Sequence, residues 1–358
     1  MPRNQHKSIV LLFIHISLLT FMPLLAHAEP QNEYDYNTRG LEFLAEEKFD
    51  QAISDFTKAI TINSRFEYAY KNRGTAYFAL KQLDLAISDL SKAIEINPNH
   101  GYAYYCRGTA FHAKKQFQQA ITDINQAISS GYQHISVYRM RAIIYFDLEQ
   151  YPEAIADFNK YLVIDPQDIY LHFKRGLAYS NLKQFNQAID DFNFVISANP
   201  QYAGIYYSRG RANYHLQQYE QALIDFNKAL TFSQAIPNTY VSRGNTYFKL
   251  KQYDKAIADY NKALSLSPDQ VNTLRYTLYR GIAYLHSGKL NQSITDFEIV
   301  IAINPQFADV YYFRGLALMK LYQKQGAIEA FRQYIEIGTD ITSISKAKEY
   351  IGKLGGKP

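Results

Sequence analysis

The chain has 358 residues, 47% hydrophobic and 20% charged, so it carries apolar material for about two ordinary cores and is not a disordered chain. Its 38 Lys and Arg against 33 Asp and Glu give a formal charge of +5, too mild and too dispersed for a nucleic-acid footprint. The single cysteine, Cys106, excludes an intrachain disulfide framework and any Cys-x-x-Cys metal or redox site.

At the N-terminus Arg3 and Lys7 precede an apolar run from Ile9 to Leu25, and Ala26-His27-Ala28 supplies the small-x-small pattern of a signal peptidase site. The sequence therefore predicts a signal peptide over 1–28, cleaved after Ala28, and an exported chain, periplasmic or secreted. The run is also about long enough to span a bilayer, so an uncleaved anchor is the alternative, and only then would the protein engage a membrane. No cysteine adjoins the cleavage site, which excludes a lipoprotein anchor, and no later segment is apolar enough to cross a bilayer. The scarcity of cysteine favours a bacterial periplasm.

After the leader the chain repeats. Arg-Gly recurs at Arg39-Gly40, Arg73-Gly74, Arg107-Gly108, Arg175-Gly176, Arg209-Gly210, Arg243-Gly244, Arg280-Gly281 and Arg314-Gly315, with Arg141-Ala142 at the midpoint of the one double gap. The step is 34 residues except for one of 37, which places a three-residue insertion between Pro268 and Leu274. Nine copies follow, over 33–66, 67–100, 101–134, 135–168, 169–202, 203–236, 237–270, 274–307 and 308–341, with 342–358 left as a C-terminal helix and tail.

Twelve residues beyond the Gly stand Ala52, Ala86, Ala120, Ala154, Ala188, Ala222, Ala256, Ser293 and Ala327. Four further on a large apolar residue recurs, Phe56, Leu90 and Ile124 in the first three copies and Phe331 in the last. Within a copy the apolar spacing is helical: Ala52, Ile53, Phe56, Ala59 and Ile60 make one stripe, and Tyr36, Gly40 and Phe43 another. Each copy therefore reads as two antiparallel helices, with Gly facing Ala so that the backbones approach closely while aromatics fill the remaining volume.

Pro152 falls in the first turn of a second helix, and Asp50, Asp84, Asn186, Asp254 and Asn291 occupy one slot expected to cap or favour that helix start. Asn97, Asp165, Asn199 and Asn304, each before a proline, are expected to end it. Past the ninth copy, Ile344, Ala347, Ile351 and Leu354 make a short amphipathic helix suited to solvate an open end.

This pattern of aromatic, large residue plus Gly, aromatic, Ala, Phe and Pro resembles the tetratricopeptide repeat, from Glu33 to about Ile341. The departures are local: Tyr stands where Trp is common, Arg precedes Gly in place of Leu, His172 and Thr277 interrupt the Tyr column, and Asn213 replaces an aromatic. The resemblance implies an all-α fold, a right-handed superhelical solenoid of antiparallel helix pairs with a C-terminal capping helix. It also implies a concave surface lined by the first helices, where extended peptides or helices bind.

Each Arg before Gly is followed sixteen residues later by an acid, as in Arg39 with Asp55, Arg73 with Asp89, Arg107 with Asp123 and Arg175 with Asp191. A ladder for acidic ligands is one reading, but matched recurrence of both signs favours structural ion pairs between helices. On the concave face the resemblance places Tyr34, Tyr68, Tyr102 and Tyr170, with Lys71, Tyr105, Arg139, Phe173 and Tyr207 beside them. These could grip a chain by stacking and phenolic hydrogen bonds, or could pack one repeat on the next. Lys71 and Asn72 alone do not reproduce the carboxylate clamp known in one subgroup of the family.

His100, His112, His134, His172, His215 and His286 show no metal-ligand spacing, Cys106 suits a small buried thiol, and the nucleotide, hydrolase and metalloprotease motifs are absent. The sequence thus predicts no enzyme, no cofactor and no metal. It points to a protein-protein interaction scaffold or adaptor in the cell envelope or secreted, with protein or peptide partners and no nucleic acid. The alternative is a periplasmic peptide-binding assembly chaperone for exported or surface-structure subunits.

Overall fold

A computed structural model describes residues 30–267 and 269–357; the expected signal peptide, 1–28, lies outside the described residues. Among those residues are nineteen helices and no strand. They run α1 Glu33–Ala45, α2 Phe49–Ile62, α3 Glu67–Ala79, α4 Leu83–Ile96, α5 Gly101–Ala113, α6 Phe117–Ser129, α7 Ser136–Asp147, α8 Tyr151–Ile164 and α9 Ile169–Asn181. There follow α10 Phe185–Ala198, α11 Ala203–His215, α12 Tyr219–Phe232, α13 Pro237–Lys249, α14 Tyr253–Leu266, α15 Gln270–His286, α16 Leu290–Ile303, α17 Ala308–Lys320, α18 Lys324–Ile337 and α19 Ile341–Lys353. Two compact units divide inside α9, after Ala178. Within each unit every helix packs on its chain neighbour as a stack of helix hairpins, odd-numbered helices coming first in each pair.

The hairpin turn is set by backbone geometry. At the end of α1 the amide of Lys48 donates to Phe43 O at 2.8 Å and that of Glu47 to Leu44 O at 3.2 Å, a Schellman closure that needs a left-handed residue at Glu47, where φ is +58°. The same slot is left-handed in Lys81, Lys115, Glu149, Lys183, Gln217, Lys251 and Tyr322, and glycine fills it only at Gly288. The residue after it already serves as N-cap of the second helix.

That tight turn narrows the expectation that one slot caps or favours the second helix. Asp50, Asp84, Asn186, Asp254 and Asn291 do not cap; Lys48, Gln82, Gln184, Gln252 and Lys289 hold the N-cap positions, with no side-chain capping bond. Asp50, Asp84 and Asp254 lie within the first turn and favour the helix start through its dipole, the other expected role. At the other end the chain leaves the helix at the residue before proline, as at Asn97 with φ −132° and ψ 91°.

The core follows the small-large pattern. Ala52, Ala86, Ala120, Ala154, Ala188, Ala222 and Ala256 are fully buried, as are Phe56, Phe158, Phe192, Phe226 and Phe297. A Cβ added at Gly244 would sit 2.8 Å from Tyr260 Cε1, so glycine there is a requirement of close approach. Ser293, in the alanine column, is tolerated because its buried hydroxyl donates to Gly281 O at 2.8 Å. The insertion before Leu274 becomes helix: α15 has 17 residues where α13 and α17 have 13, about one extra turn, begun by Asp269, whose carboxylate accepts from the Asn272 amide. After the last hairpin α19 buries Ala347 and Ile351 in the cluster that holds Ile328 and Phe331 of α18.

Candidate interaction face

In unit 1 the first helices α1, α3, α5 and α7 touch in succession and form a layer. Tyr34 and Tyr68, from one slot of consecutive repeats, are 62% and 49% exposed on it. They belong to a ladder of rings: Tyr34 to Phe66 at 4.9 Å, Phe66 to Tyr68 at 5.9 Å and Tyr68 to His100 at 5.7 Å between centroids. Tilted and edge-on contacts of this kind hold ring positions while leaving outer faces open. Phe66 and His100, at the residue before each first helix, were missed by sequence reasoning because that slot varies from copy to copy.

The next tyrosines go inward. Tyr102 is half-buried, stacked 6.1 Å from Tyr105 and tilted 5.5 Å from Tyr132. Burial pushes the Tyr102 phenol well above the usual tyrosine range and Tyr105 up to about 12. Tyr105, expected on the open face, is only 5% exposed and joins a core cluster with Cys106 and Ile124. The physical reason is Tyr132: the link between α6 and α7 turns at Gly131 and lays that ring over α5, 5.5 Å from Tyr105. Burial likewise raises the Cys106 thiol to about 12, so it is not a nucleophile at neutral pH.

Two cations of this layer pair with tyrosines of the following repeat. Lys71 Nζ lies 5.2 Å from the Tyr102 centroid, and Arg139 Cζ lies 5.6 Å from that of Tyr170. Arg139 also holds Asp168 at 3.1 Å. Burial keeps the Lys71 ammonium below the usual lysine range, and burial followed by the Lys71 charge does the same to His100. Tyr170 and Phe173 are half-buried on α9, while Tyr207, on α11, belongs to unit 2 and packs 6.1 Å from Phe226.

The repeated arginines face acids of their own hairpins. Arg39 Nε meets Asp55 at 2.6 Å, Arg73 meets Asp89 at 2.7 Å and Arg107 meets Asp123 at 2.7 Å, each acid buried. Arg141, Arg209, Arg243 and Arg280 pair in the same way with Asp157, Asp225, Asp259 and Asp296. Arg175 donates through Nη1 to Asn159 at 2.6 Å, and Asp191, in unit 2, is buried.

Two irregular residues find their reasons here. Asn213, in place of an aromatic, donates to Asp225 at 3.0 Å and joins its ion pair. His172, in the tyrosine column, lies 3.1 Å from Pro166 O through Nε2, the carbonyl position that the hydroxyls of Tyr206 and Tyr311 reach at Pro200 and Pro305.

Among the described residues no group of three or more His, Cys, Asp or Glu side chains is placed to hold a metal ion, and no helix is long and apolar enough to cross a membrane.

Family profiles match along the chain. Those described as tetratricopeptide repeat cover 36–66, 67–100, 90–122, 173–238, 237–270 and 278–340, and one described as TPR repeat covers 143–183. The chain belongs to the tetratricopeptide repeat family. No curated protein matches it.

Among solved structures, a tetratricopeptide repeat protein from Parabacteroides merdae is 20% identical over 70% of this chain and 98% of its own, with a TM-score of 0.51. The APC/C hetero-tetramer Cut9-Hcn1 is 16% identical over 89% of this chain and 64% of its own, with a TM-score of 0.50. These likenesses concern the fold. The family match makes the chain a protein-protein interaction scaffold, and no catalytic family is indicated.

Proposed function

We propose that this tetratricopeptide repeat protein is an exported, non-enzymatic adaptor that holds partners on the first-helix face of unit 1. The observation that carries the reading is the ladder from Tyr34 to His100, because it leaves two large rings of adjoining repeats open to solvent where packing alone would bury them. The leader supports a periplasmic or secreted setting, with cleavage after Ala28.

The test is crosslinking capture from cells with the full chain, beside a variant carrying Tyr34→Ala and Tyr68→Ala. A folded partner lost in the variant, at an unchanged thermal melt, supports the adaptor; a partner kept by the variant places the working surface elsewhere. N-terminal mass determination of the secreted fraction checks export, since a mature chain beginning at Glu29 is expected and an intact Met1 in the membrane fraction would identify the anchor.

A second reading draws on the same ladder. Two open rings of adjoining repeats along one helix layer also suit an extended polypeptide, the ligand of a peptide-binding assembly chaperone for exported subunits. Suppressed aggregation of unfolded exported subunits, lost in the same variant, would select this reading over the adaptor.

A further inference from the structure

We propose that the ninth repeat carries a separate docking point, at which Arg314 takes a side-chain carboxylate of a partner protein from an acidic residue with a lysine or arginine beside it. The site lies wholly within unit 2, in a recess walled by second helices, so it goes beyond the tyrosine ladder and does not depend on it.

The repeat itself defines what is missing. In seven hairpins the recurring arginine donates from both Nε and Nη2 to its aspartate. At Arg243 these bonds reach Asp259 at 2.8 and 2.6 Å, and Nη1 donates to Asn227 of the preceding repeat at 2.7 Å. In the ninth repeat Ala330 stands in the aspartate slot and Glu298 in the asparagine slot. Arg314 Nε is buried with no hydrogen-bond partner, and Nη2 makes only a loose contact to Glu298 at 3.5 Å.

The missing side chain leaves room. The recess beside Arg314 holds about 540 Å³, whereas the equivalent one beside Arg243, where Asp259 is in place, holds about 290 Å³. It can be entered from solvent: the Arg314 side chain is 28% exposed, and Glu298, Glu329 and Gln333 on its walls are exposed. Such an open groove covers a side chain projecting from another protein but would leave most of a small molecule in water.

Nε and Nη2 form a fork that matches a carboxylate, as the other repeats demonstrate. The walls decide what must accompany it. Glu298 comes from α16 and Glu329 from α18, the latter accepting from Gln325 at 3.1 Å, and one guanidinium stands against the two. A lone acid would meet an excess of negative charge. An acid with a base beside it sets its carboxylate on Arg314 and its cation near the glutamates.

The experiment uses the full chain with ¹⁵N-labelled arginine and capped hexapeptides whose central pair is Glu-Lys, Gln-Lys or Glu-Gly. The Arg314 Nε–H signal, identified by its absence in Arg314→Lys, should move on titration with Glu-Lys. Half-saturation should come at about a tenth of the concentration that Gln-Lys needs at low salt, with Glu-Gly in between. Ala330→Asp fills the slot from within and should abolish the response without lowering the melting temperature. Ala330→Asn, whose amide oxygen accepts from Nε without adding a charge, serves if the Asp variant does not fold.

A signal that no peptide moves, equal half-saturation by Glu-Lys and Gln-Lys, or a response that survives filling of the slot would overturn the proposal. Equal binding of Glu-Lys and Glu-Gly would overturn the neighbouring base, and free glutamate binding as tightly as the Glu-Lys peptide would overturn the protein partner in favour of a small molecule. Each of these results leaves the tyrosine ladder of unit 1 standing, because the Tyr34→Ala and Tyr68→Ala variant tests that face separately.

Discussion

Arg107 and Asp123 meet fork to fork, Nε to Oδ2 at 2.7 Å and Nη2 to Oδ1 at 2.8 Å, while Nη1 of the same guanidinium reaches back to Ser91 at 3.0 Å in the preceding repeat. One side chain therefore ties α5 to its own partner α6 and to α4. Asp123→Ala should destabilise by about 3 kcal/mol, because it leaves a part-buried guanidinium uncompensated. Adding Arg107→Ala should cost less than the sum of the single changes, with a coupling of about 1–3 kcal/mol. A double-mutant cycle in urea, followed by the helical signal, measures this, and additivity within about 0.5 kcal/mol would reduce the pair to a surface contact.

The ninth repeat carries the complementary experiment. Ala330 occupies the aspartate slot there, and Arg314 is left with a buried Nε that has no partner and a loose contact to Glu298 at 3.5 Å. The guanidinium borders a recess of about 540 Å³ lined by Tyr311, Glu329 and Gln333. Ala330→Asp should supply the missing acceptor and raise stability by about 1–2 kcal/mol. The expected sign is the informative part, since introducing a charge at a buried site without a waiting partner would instead destabilise.

The repeat frame was legible because its physics is periodic. Gly40 facing Phe56, the alanine column and the residues before proline each recur at a fixed step, so errors at one copy are corrected by eight others. Depth on the first-helix face was not legible in the same way. Lys71 and Tyr105 share one slot, yet the lysine is half-buried and the tyrosine buried, and the difference comes from Tyr132 in a link of irregular sequence. The left-handed turn residues were invisible for a further reason: Lys81, Lys115 and Lys183 are poor signals for a positive φ, which Schellman hydrogen bonds impose on them.

Those turn residues give a stability prediction with an unusual sign. Glu149 stands at φ +60°, where an L side chain costs about 1 kcal/mol relative to glycine. Glu149→Gly should therefore raise the urea midpoint, whereas glycine at the exposed helical position Glu153 should lower it by about 1 kcal/mol. Loss of stability at both sites would mean that the Glu149 side chain contributes more than its backbone conformation costs.

Alkaline pH should loosen unit 1 from its buried phenols and thiol outward. Burial raises Tyr105, Tyr170 and Cys106 each to about 12, while the unfolded chain releases the same protons at about 10 for tyrosine and about 8.5 for cysteine. For a group with a raised folded value, the stability it contributes is fully present below the unfolded value and is lost as pH climbs to the folded one. Lys71 opposes this weakly, since its lowered value means that the unfolded chain binds the extra proton and stability from that site grows as pH approaches the ordinary lysine value. Three groups against one set the direction. The urea midpoint should hold level to about pH 8.5 and then fall up to about pH 12; Cys106→Ala should delay the onset to about pH 10, and Tyr105→Phe should shallow the later slope. A midpoint that stays level to pH 12 in the native chain would show that these groups titrate as freely folded as unfolded, and so are not held in a dry core.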